Sequence, residues 1–298
     1  MDRVNETGLA RSIRDLAWEE AALAIVDTRQ SLATRRAYRA DVERWLRWCY
    51  GTGATPRAPS VQDAVAFREA MLANLSATSV RRVLAALSFV YRQMLQAGGV
   101  RHNVFHPGLL AWPPEDRIGK TAPVTHAEAS AILAAAAKAE ATRDLAVLRL
   151  LYDTGLRRSS VASMRRDKFE GADRVRVTIK GGAEAWATLP PRAVEALRLW
   201  LGKAPQSPFV FPGRGGHIDV GMVNKIVARW ANAARCPHVH PHCFRTTFAT
   251  DGYDAGLPEH EVQASLHHTD PRTTRRYDRG TRGANVATII AKKREVAP

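Results

Sequence analysis

The chain of 298 residues is long enough for two ordinary domains, and a hydrophobic fraction of 45% excludes wholesale disorder. Its 44 basic residues against 29 acidic ones give a net charge of +15, which favours a polyanionic partner such as nucleic acid. No apolar stretch approaches the length of a membrane span, and the first 25 residues carry acidic side chains and lack a signal-peptide core. We therefore expect a cytoplasmic protein that makes no membrane contact.

The distribution of charge and the spacing of the cysteines indicate which part of the chain is most basic and which redox compartment suits the protein. Residues 1–116 contain 15 basic and 12 acidic residues, or +3, which leaves 29 minus 17, or +12, for residues 117–298. The positive field therefore lies mainly in the second part of the chain, although an Arg-rich and Ala-rich composition alone supports DNA binding only modestly. Cys49, Cys236 and Cys243 are an odd number at spacings that form no disulfide framework, which favours a reducing compartment.

The first part of the chain has the apolar periodicity of a helical bundle. Helices are predicted at 16–26, 34–49, 60–71 and 78–98, and in the second of these the apolar residues recur at i, i+4, i+7, i+8 and i+11, on one face. We expect residues 1–105 to form a compact unit of four or five helices. Such a bundle carries no catalytic signature and by itself is typical of a protein-binding module.

A linker is predicted at residues 106–121. This stretch contains Pro107, Pro113 and Pro114 and a charged break at 115–117, so no element longer than a turn fits it. A flexible joint between two domains is what a protein needs if it must close around DNA.

The second domain, residues 122–298, mixes helices with one hairpin. Thr125 and Glu128 form a capping box, and a helix over 143–153 ends where Gly155 can take the left-handed conformation. Alternation at Arg174–Thr178 and a return strand at 186–189 predict a β-hairpin. Further helices are predicted at 191–201, 221–234, from after Arg245 to 255, at 259–266 and at 284–293. The predicted fold class is mainly α with a small antiparallel sheet, an α+β second domain.

Polar residues in the second domain recur in an order that is hard to obtain by chance. His242 and Arg245 lie three positions apart, His268 follows after 23 positions, and Tyr277 after nine more. Upstream, the sequence Thr-Gly-Leu-Arg ends at Arg157. Together these motifs resemble the tyrosine site-specific recombinases of the phage-integrase type.

The resemblance implies a SAM-like helical core-binding domain followed by a catalytic domain that cuts and rejoins DNA. The implied catalytic residues are Arg157, Lys180, His242, Arg245, His268 and Tyr277, with Lys180 at the tip of the hairpin. The candidate phosphate contacts of the first domain are Arg35, Arg36, Arg39, Arg81 and Arg82, because a guanidinium is permanently charged and binds phosphate oxygens bidentately. For each of these five arginines, a solvated helix face is at least as common an explanation.

The sequence departs from the family pattern at several positions. Ser160 stands where the family usually has Glu, which leaves open how Arg157 is oriented. His267 stands where it usually has Gly, and if that position needs a positive φ, histidine is strained there. Ala183 and Ala185 replace basic residues often found after the lysine.

The segment 236–243 is rich in cysteine and histidine. Alternation would place His238, His240 and His242 on one side of an extended segment, which zinc can exploit. Structural zinc sites usually draw their ligands from two separated knuckles, and His242 already belongs to the recombinase motif. We therefore expect no metal and no cofactor.

The implied partner is double-stranded DNA with specific recombination sites. By resemblance, the last segment, 284–293, docks into a neighbouring protomer of a homotetramer on DNA, and whether the free protein is a monomer or a dimer stays open. A type IB topoisomerase and a decayed integrase acting as a DNA-binding regulator are the two alternatives.

Overall fold

The computed structural model describes residues 17–114 and 121–267, and the chain divides into two compact units, residues 1–116 and 117–298. Most described residues lie in helices, and the strands form small antiparallel sheets, which confirms the predicted fold class. No helix within the described ranges combines the length and the apolar character that crossing a membrane requires.

The first unit consists of four helices in its described part. These are α1 (Trp18–Asp27), α2 (Leu32–Thr52), α3 (Val61–Leu72) and α4 (Ala77–Gln96), and they confirm the four predicted helices with small shifts at the ends. Ser31, Ser60 and Ser76 precede α2, α3 and α4 and accept a backbone N–H of the first turn with their hydroxyls. Gly53, with φ of 77°, ends α2 as a left-handed cap.

An aromatic cluster holds these helices together. The ring of Trp45 lies 5.0 Å from that of Phe67 and 5.1 Å from that of Phe105, in edge-on contacts. Its indole N–H donates to the hydroxyl of Tyr91 at 3.0 Å, so a fully buried tryptophan keeps its polar group satisfied. The cluster joins α2, α3 and α4 to the chain that follows them.

The beginning of the predicted linker packs against the first unit. Leu110 is buried, the guanidinium of Arg68 donates to the carbonyl of Ala111 at 2.6 Å, and that of Arg81 donates to the carbonyl of Pro113 at 2.6 Å. These contacts fix residues up to 113, while the limits of the linker itself stay a prediction.

The second unit is built around a central helix with a small sheet at one side. Its elements are α5 (His126–Lys138), α6 (Thr142–Thr154), α7 (Arg158–Ala162), a 3-10 turn (Arg166–Lys168), β1 (Phe169–Glu170), β2 (Arg174–Thr178), β3 (Glu184–Thr188), α8 (Pro191–Leu201), β4 (Pro212–Gly213), β5 (Gly216–His217), α9 (Val220–Ala233), α10 (Pro241–Asp254) and α11 (Glu259–Ser265). Helix α6 contacts α5, α8, α9 and α10, which explains why Leu148, Leu150 and Leu151 are almost completely buried. Strands β1, β2 and β3 are antiparallel neighbours in that order.

The predicted hairpin is confirmed. Arg174 pairs with Thr188 and Arg176 with Trp186, while Val175 and Val177 alternate with them and point into the core. Lys180 lies at the exposed tip between β2 and β3, followed by two glycines with positive φ.

One helix begins earlier than predicted. The sequence pattern predicted its start after Arg245, but α10 starts at Pro241, so that His242 and Arg245 lie on the same helix one turn apart. Proline suits the first helical position because its missing N–H would have no partner there. The short elements α7, β1, β4 and β5 were not predicted, since each is too short to show a period.

Candidate phosphate-binding active site

The turn after α6 places the first predicted catalytic arginine. Gly155 caps α6 with φ of 62°, and Arg157 follows as the residue that precedes α7. A Cβ atom at Gly155 would lie 2.8 Å from ring atoms of Phe248, so both the conformation and the space require glycine. The main chain can therefore pass close to α10, which carries Phe248, His242 and Arg245.

The two predicted catalytic arginines converge on one carbonyl. Arg245 is buried, and its Nη1 and Nη2 donate to the carbonyls of Gly155 and Leu266, each at 2.6 Å. Arg157 donates from Nη1 to the carbonyls of Leu266 at 3.5 Å and His267 at 3.3 Å. Two guanidinium groups from residues far apart in sequence thus meet at the end of α11.

His242 and both arginines line one groove. The groove has a volume of about 750 Å³, and its polar walls are formed by Arg157, Arg158, Asn224, His238, His240, His242 and Arg245. Partial removal of the ring from water, followed by the positive charge of Arg245, lowers the pKa of His242 below its usual value. The imidazole is therefore neutral near neutral pH, the form in which it can accept a proton.

His267 ends α11 in a conformation that is rare for histidine. Its φ is 50°, which confirms the expected strain at this position, and a left-handed residue with a Cβ costs about 1–2 kcal/mol. Its Nε2 is shielded from solvent and has no hydrogen-bond partner among residues 17–114 and 121–267. Burial, and then the charges of Arg245 and Arg157, lower the pKa of this ring as well.

Comparisons with known proteins show which family has this arrangement. Residues 123–282 match the Phage integrase family, and residues 23–98 match the Phage integrase, N-terminal SAM-like domain. The chain belongs to the phage integrase family. It is 31% identical to the tyrosine recombinase XerC of Chromobacterium violaceum over 254 residues, 82% of this chain and 83% of the relative. The XerC protein of Azotobacter vinelandii is similar at 31% identity, with 82% of this chain and 84% of the relative covered. The protein is thus a tyrosine recombinase, an enzyme of site-specific recombination.

Solved structures share the fold. A XerH site-specific recombinase bound to a palindromic difH substrate, in a post-cleavage complex, superposes with a TM-score of 0.71 at 16% identity and covers 88% of this chain and 81% of its own. A lambda integrase dimer bound to a COC′ core site gives a TM-score of 0.66 at 17% identity, with 89% and 77% covered. At these identities the likeness concerns the fold alone.

Ser160, which stands where the family usually has glutamate, makes a hydrogen bond to the neighbouring strand. Its side chain is buried and donates from Oγ to the carbonyl of Thr178 at 2.6 Å, at the end of β2. The contact ties α7, which Arg157 precedes, to the strand that leads to Lys180. Lys180 itself is exposed and is not among the described residues that line the groove.

Two predicted catalytic residues, His268 and Tyr277, lie outside the described residues, as does the segment 284–293. Tyr253, the other tyrosine near the motifs, is buried and packs with Val262 and Leu266.

The cysteine-rich segment of the recombinase is folded differently from the extended form considered above. His242 belongs to α10, and His238 lies 3.2 Å from a carboxylate oxygen of Glu128. Cys243 lies against the backbone of His238 and His240. Over residues 17–114 and 121–267, no three His, Cys, Asp or Glu side chains are grouped so that they could hold a metal ion.

Four of the five candidate arginines of the first unit contact their own domain. Arg39 pairs with Asp27 at 3.0 Å and Arg82 pairs with the buried Asp41. Arg35 and Arg81 each donate to a backbone carbonyl. The fifth, Arg36, is exposed and has no ion-pair partner within the described residues. DNA contact by each of the five stays a prediction.

Proposed function

We propose that this recombinase cuts and rejoins duplex DNA at specific sites through a 3′-phosphotyrosyl intermediate on Tyr277. The observation that carries the proposal is the convergence of Arg157 and Arg245 beside His242 in one groove. A tyrosine attack keeps the energy of the broken phosphodiester in the new protein–DNA bond, so rejoining requires neither ATP nor a redox cofactor. The cleavage also leaves a free 5′ hydroxyl, which is the nucleophile of the rejoining step.

The two arginines stabilise the charge of the transition state. When the phosphorus becomes five-coordinate, charge builds on its nonbridging oxygens, and two guanidinium groups can bind these through charge-assisted hydrogen bonds. Both groups are already held in place by backbone carbonyls, so little reorganisation is needed when DNA binds. In this role they replace the metal ion that many phosphoryl-transfer sites use.

Proton transfer requires separate groups. A tyrosine hydroxyl has a pKa near ~10, so it needs a base at neutral pH. The neutral His242 is the candidate base, Lys180 is the candidate acid for the leaving 5′ oxygen, and His268 is a further phosphate donor. Because Lys180 lies on an exposed hairpin tip, it reaches the phosphate by movement of that hairpin.

Double-stranded DNA with recombination sites is the proposed substrate, in the bacterial cytoplasm. Lambda integrase is known as a tetramer bound to a Holliday junction, and it shares this fold with a TM-score of 0.65. We extend that assembly to this chain, with the segment 284–293 contacting a second protomer. An apolar pocket of about 610 Å³, lined by Pro190, Phe248, Leu257 and Val262 among others, is a candidate surface for its apolar face. A type IB topoisomerase and a regulator without activity are not favoured by the relatives.

The proposal is tested with a suicide substrate. Inverted repeats from the DNA that flanks the gene are built into a duplex nicked beside the cleavage position, so that the covalent product cannot rejoin. We expect the wild-type chain to form an adduct that survives denaturant, Tyr277→Phe to bind DNA without forming it, and Arg157→Ala to lose cleavage far more than affinity.

Tyr253→Phe is the matched control, because Tyr253 is buried in the core. The Tyr253→Phe protein should therefore form the adduct normally. An adduct that persists in Tyr277→Phe and is lost in Tyr253→Phe would move the nucleophile to Tyr253. Site-specific binding without any adduct would support the regulator instead.

A further inference from the structure

His267 follows α11 in the left-handed conformation that glycine adopts at the C-terminal ends of many helices. Its φ is 50°, and its N–H donates to the carbonyl of Ala264 at 3.0 Å. This turn directs the carbonyls of Leu266 and His267 onto Arg245 and Arg157. Glycine would make the same turn without strain, so the backbone alone does not account for a histidine here.

The imidazole adds a second unusual feature. Its Nε2 is shielded from solvent and has no hydrogen-bond partner in the described part of the chain, whereas nearly all buried polar atoms of native proteins have one. A neutral imidazole has one ring nitrogen without a hydrogen, which can accept a proton. Backbone strain and an unsatisfied polar atom in one residue are typical of functional sites.

Positive charge lies near this ring. The charged groups that act on the ring, among the described residues, are Arg245 from α10 and Arg157 from the start of α7. Together with burial they lower the pKa of His267, so the ring is neutral near neutral pH. A phosphate bound to both guanidinium groups would bring negative charge next to the ring and reverse the effect of the arginines.

We propose that His267 is a further phosphate-binding residue of the site: when a DNA phosphate binds Arg157 and Arg245, the imidazole takes up a proton, and its Nε2–H donates a hydrogen bond to that phosphate. The proton comes from solvent, and no covalent bond changes. The inference rests on the proposed function, because it assumes that the two arginines bind phosphate. It explains why a strained, unsatisfied histidine lies where glycine would fold more easily.

The test measures the titration of His267 with and without an anion. The full chain, labelled with ¹⁵N at histidine and arginine, is titrated between about pH 5 and about pH 8 in chloride and in sulfate at equal ionic strength. Sulfate is the probe because it is tetrahedral and does not itself titrate in this range. The His267 resonance is assigned by its absence in His267→Gly, a substitution that keeps the left-handed turn and removes the strain.

We expect sulfate to move the midpoint of the His267 titration to higher pH by about 1 unit, and to leave it unmoved in Arg157→Ala. By linkage, wild-type chain should then bind sulfate about tenfold more tightly than His267→Gly below that midpoint. His267→Asn, which tolerates positive φ and does not titrate, should lack this gain at low pH.

Two contrary outcomes are distinguishable. If sulfate shifts the Nε–H resonance of Arg245 but leaves the His267 midpoint unchanged, the proposal for His267 is wrong and the arginine site stands. If sulfate shifts neither residue, the phosphate site of the proposed function is wrong and the proposal for His267 is wrong with it.

Discussion

Substituting Gly155 by alanine should disturb the arginine cluster through two separate effects. The residue has φ of 62°, and holding alanine in a left-handed conformation costs about 1–2 kcal/mol. The added Cβ would also lie 2.8 Å from the ring of Phe248, and overpacking of this kind costs about 1–3 kcal/mol. The sum predicts a loss of about 2–5 kcal/mol in the free energy of unfolding.

The same substitution should affect cleavage. Relief of the contact moves the Gly155 carbonyl, which accepts from Arg245 at 2.6 Å. A hydrogen bond to a charged group contributes about 1.5–3 kcal/mol, so the cleavage rate at saturating DNA should fall roughly 10–100-fold in the substituted protein that remains folded.

Thermal unfolding of the full chain measures the first effect. A domain of this size loses about 2–4 °C per kcal/mol, so Gly155→Ala should lower the unfolding temperature by roughly 4–20 °C. Gly256→Ala is the matched control, since Gly256 has φ of 77° and nothing within 4 Å of the added Cβ. It should lose only the conformational part, about 1–2 kcal/mol. Equal losses for the two substitutions would refute the steric part of the reasoning.

Four further predictions concern other parts of the molecule. Arg82→Ala should lower the free energy of unfolding by about 1–3 kcal/mol because the buried carboxylate of Asp41 loses one of its positively charged partners. This loss is smaller than the usual cost of breaking a buried ion pair, because Arg82 is half exposed. Arg36→Ala should leave stability unchanged and should reduce the slope of the logarithm of the DNA-binding constant against the logarithm of the salt concentration by about one, measured by fluorescence anisotropy. If Arg36→Ala lowered stability and Arg82→Ala lowered this slope, the roles assigned to Arg36 and Arg82 would be exchanged. Ser160→Ala should cost about 1 kcal/mol in urea unfolding by removing its bond to β2, and no loss would show that water replaces it. Burial lowers the pKa of His242, so below about pH 6.5 the unfolded chain binds more protons than the folded chain. The free energy of unfolding should therefore decrease as the pH is lowered through this range, and it should decrease less in His242→Asn.

Elements longer than two turns could be predicted from the sequence because their apolar periods are strong. The pattern on α2 predicted the buried face that includes Val42, Trp45 and Cys49, and the alternation of β2 predicted the inward valines. The start of α10 was missed, because an Asx-type or Ser/Thr cap is absent and His240 precedes the helix instead. The two-residue strands depend on tertiary pairing, which no local pattern contains.

The site was predicted only as a set of residue types in order. The sequence indicated that Gly155 would be left-handed, but not that its carbonyl would hold Arg245, because a backbone acceptor leaves no trace in residue identity. Similarly, the contact of Ser160 with β2 joins residues 18 positions apart, and its only signal was the missing glutamate. Departures from the family pattern, at Ser160 and His267, were the best guide to contacts peculiar to this chain.

The arginine cluster and the segment that carries the proposed nucleophile share one piece of backbone. Leu266 and His267 hold both guanidinium groups through their carbonyls, and His267 is also the residue from which the chain continues toward His268 and Tyr277. A change of backbone conformation at His267 therefore alters the orientation of the phosphate-binding groups and the direction of the following chain together. A substitution at His267 that changes this turn should therefore act on both arginines and on the segment of the proposed nucleophile together, rather than on either alone.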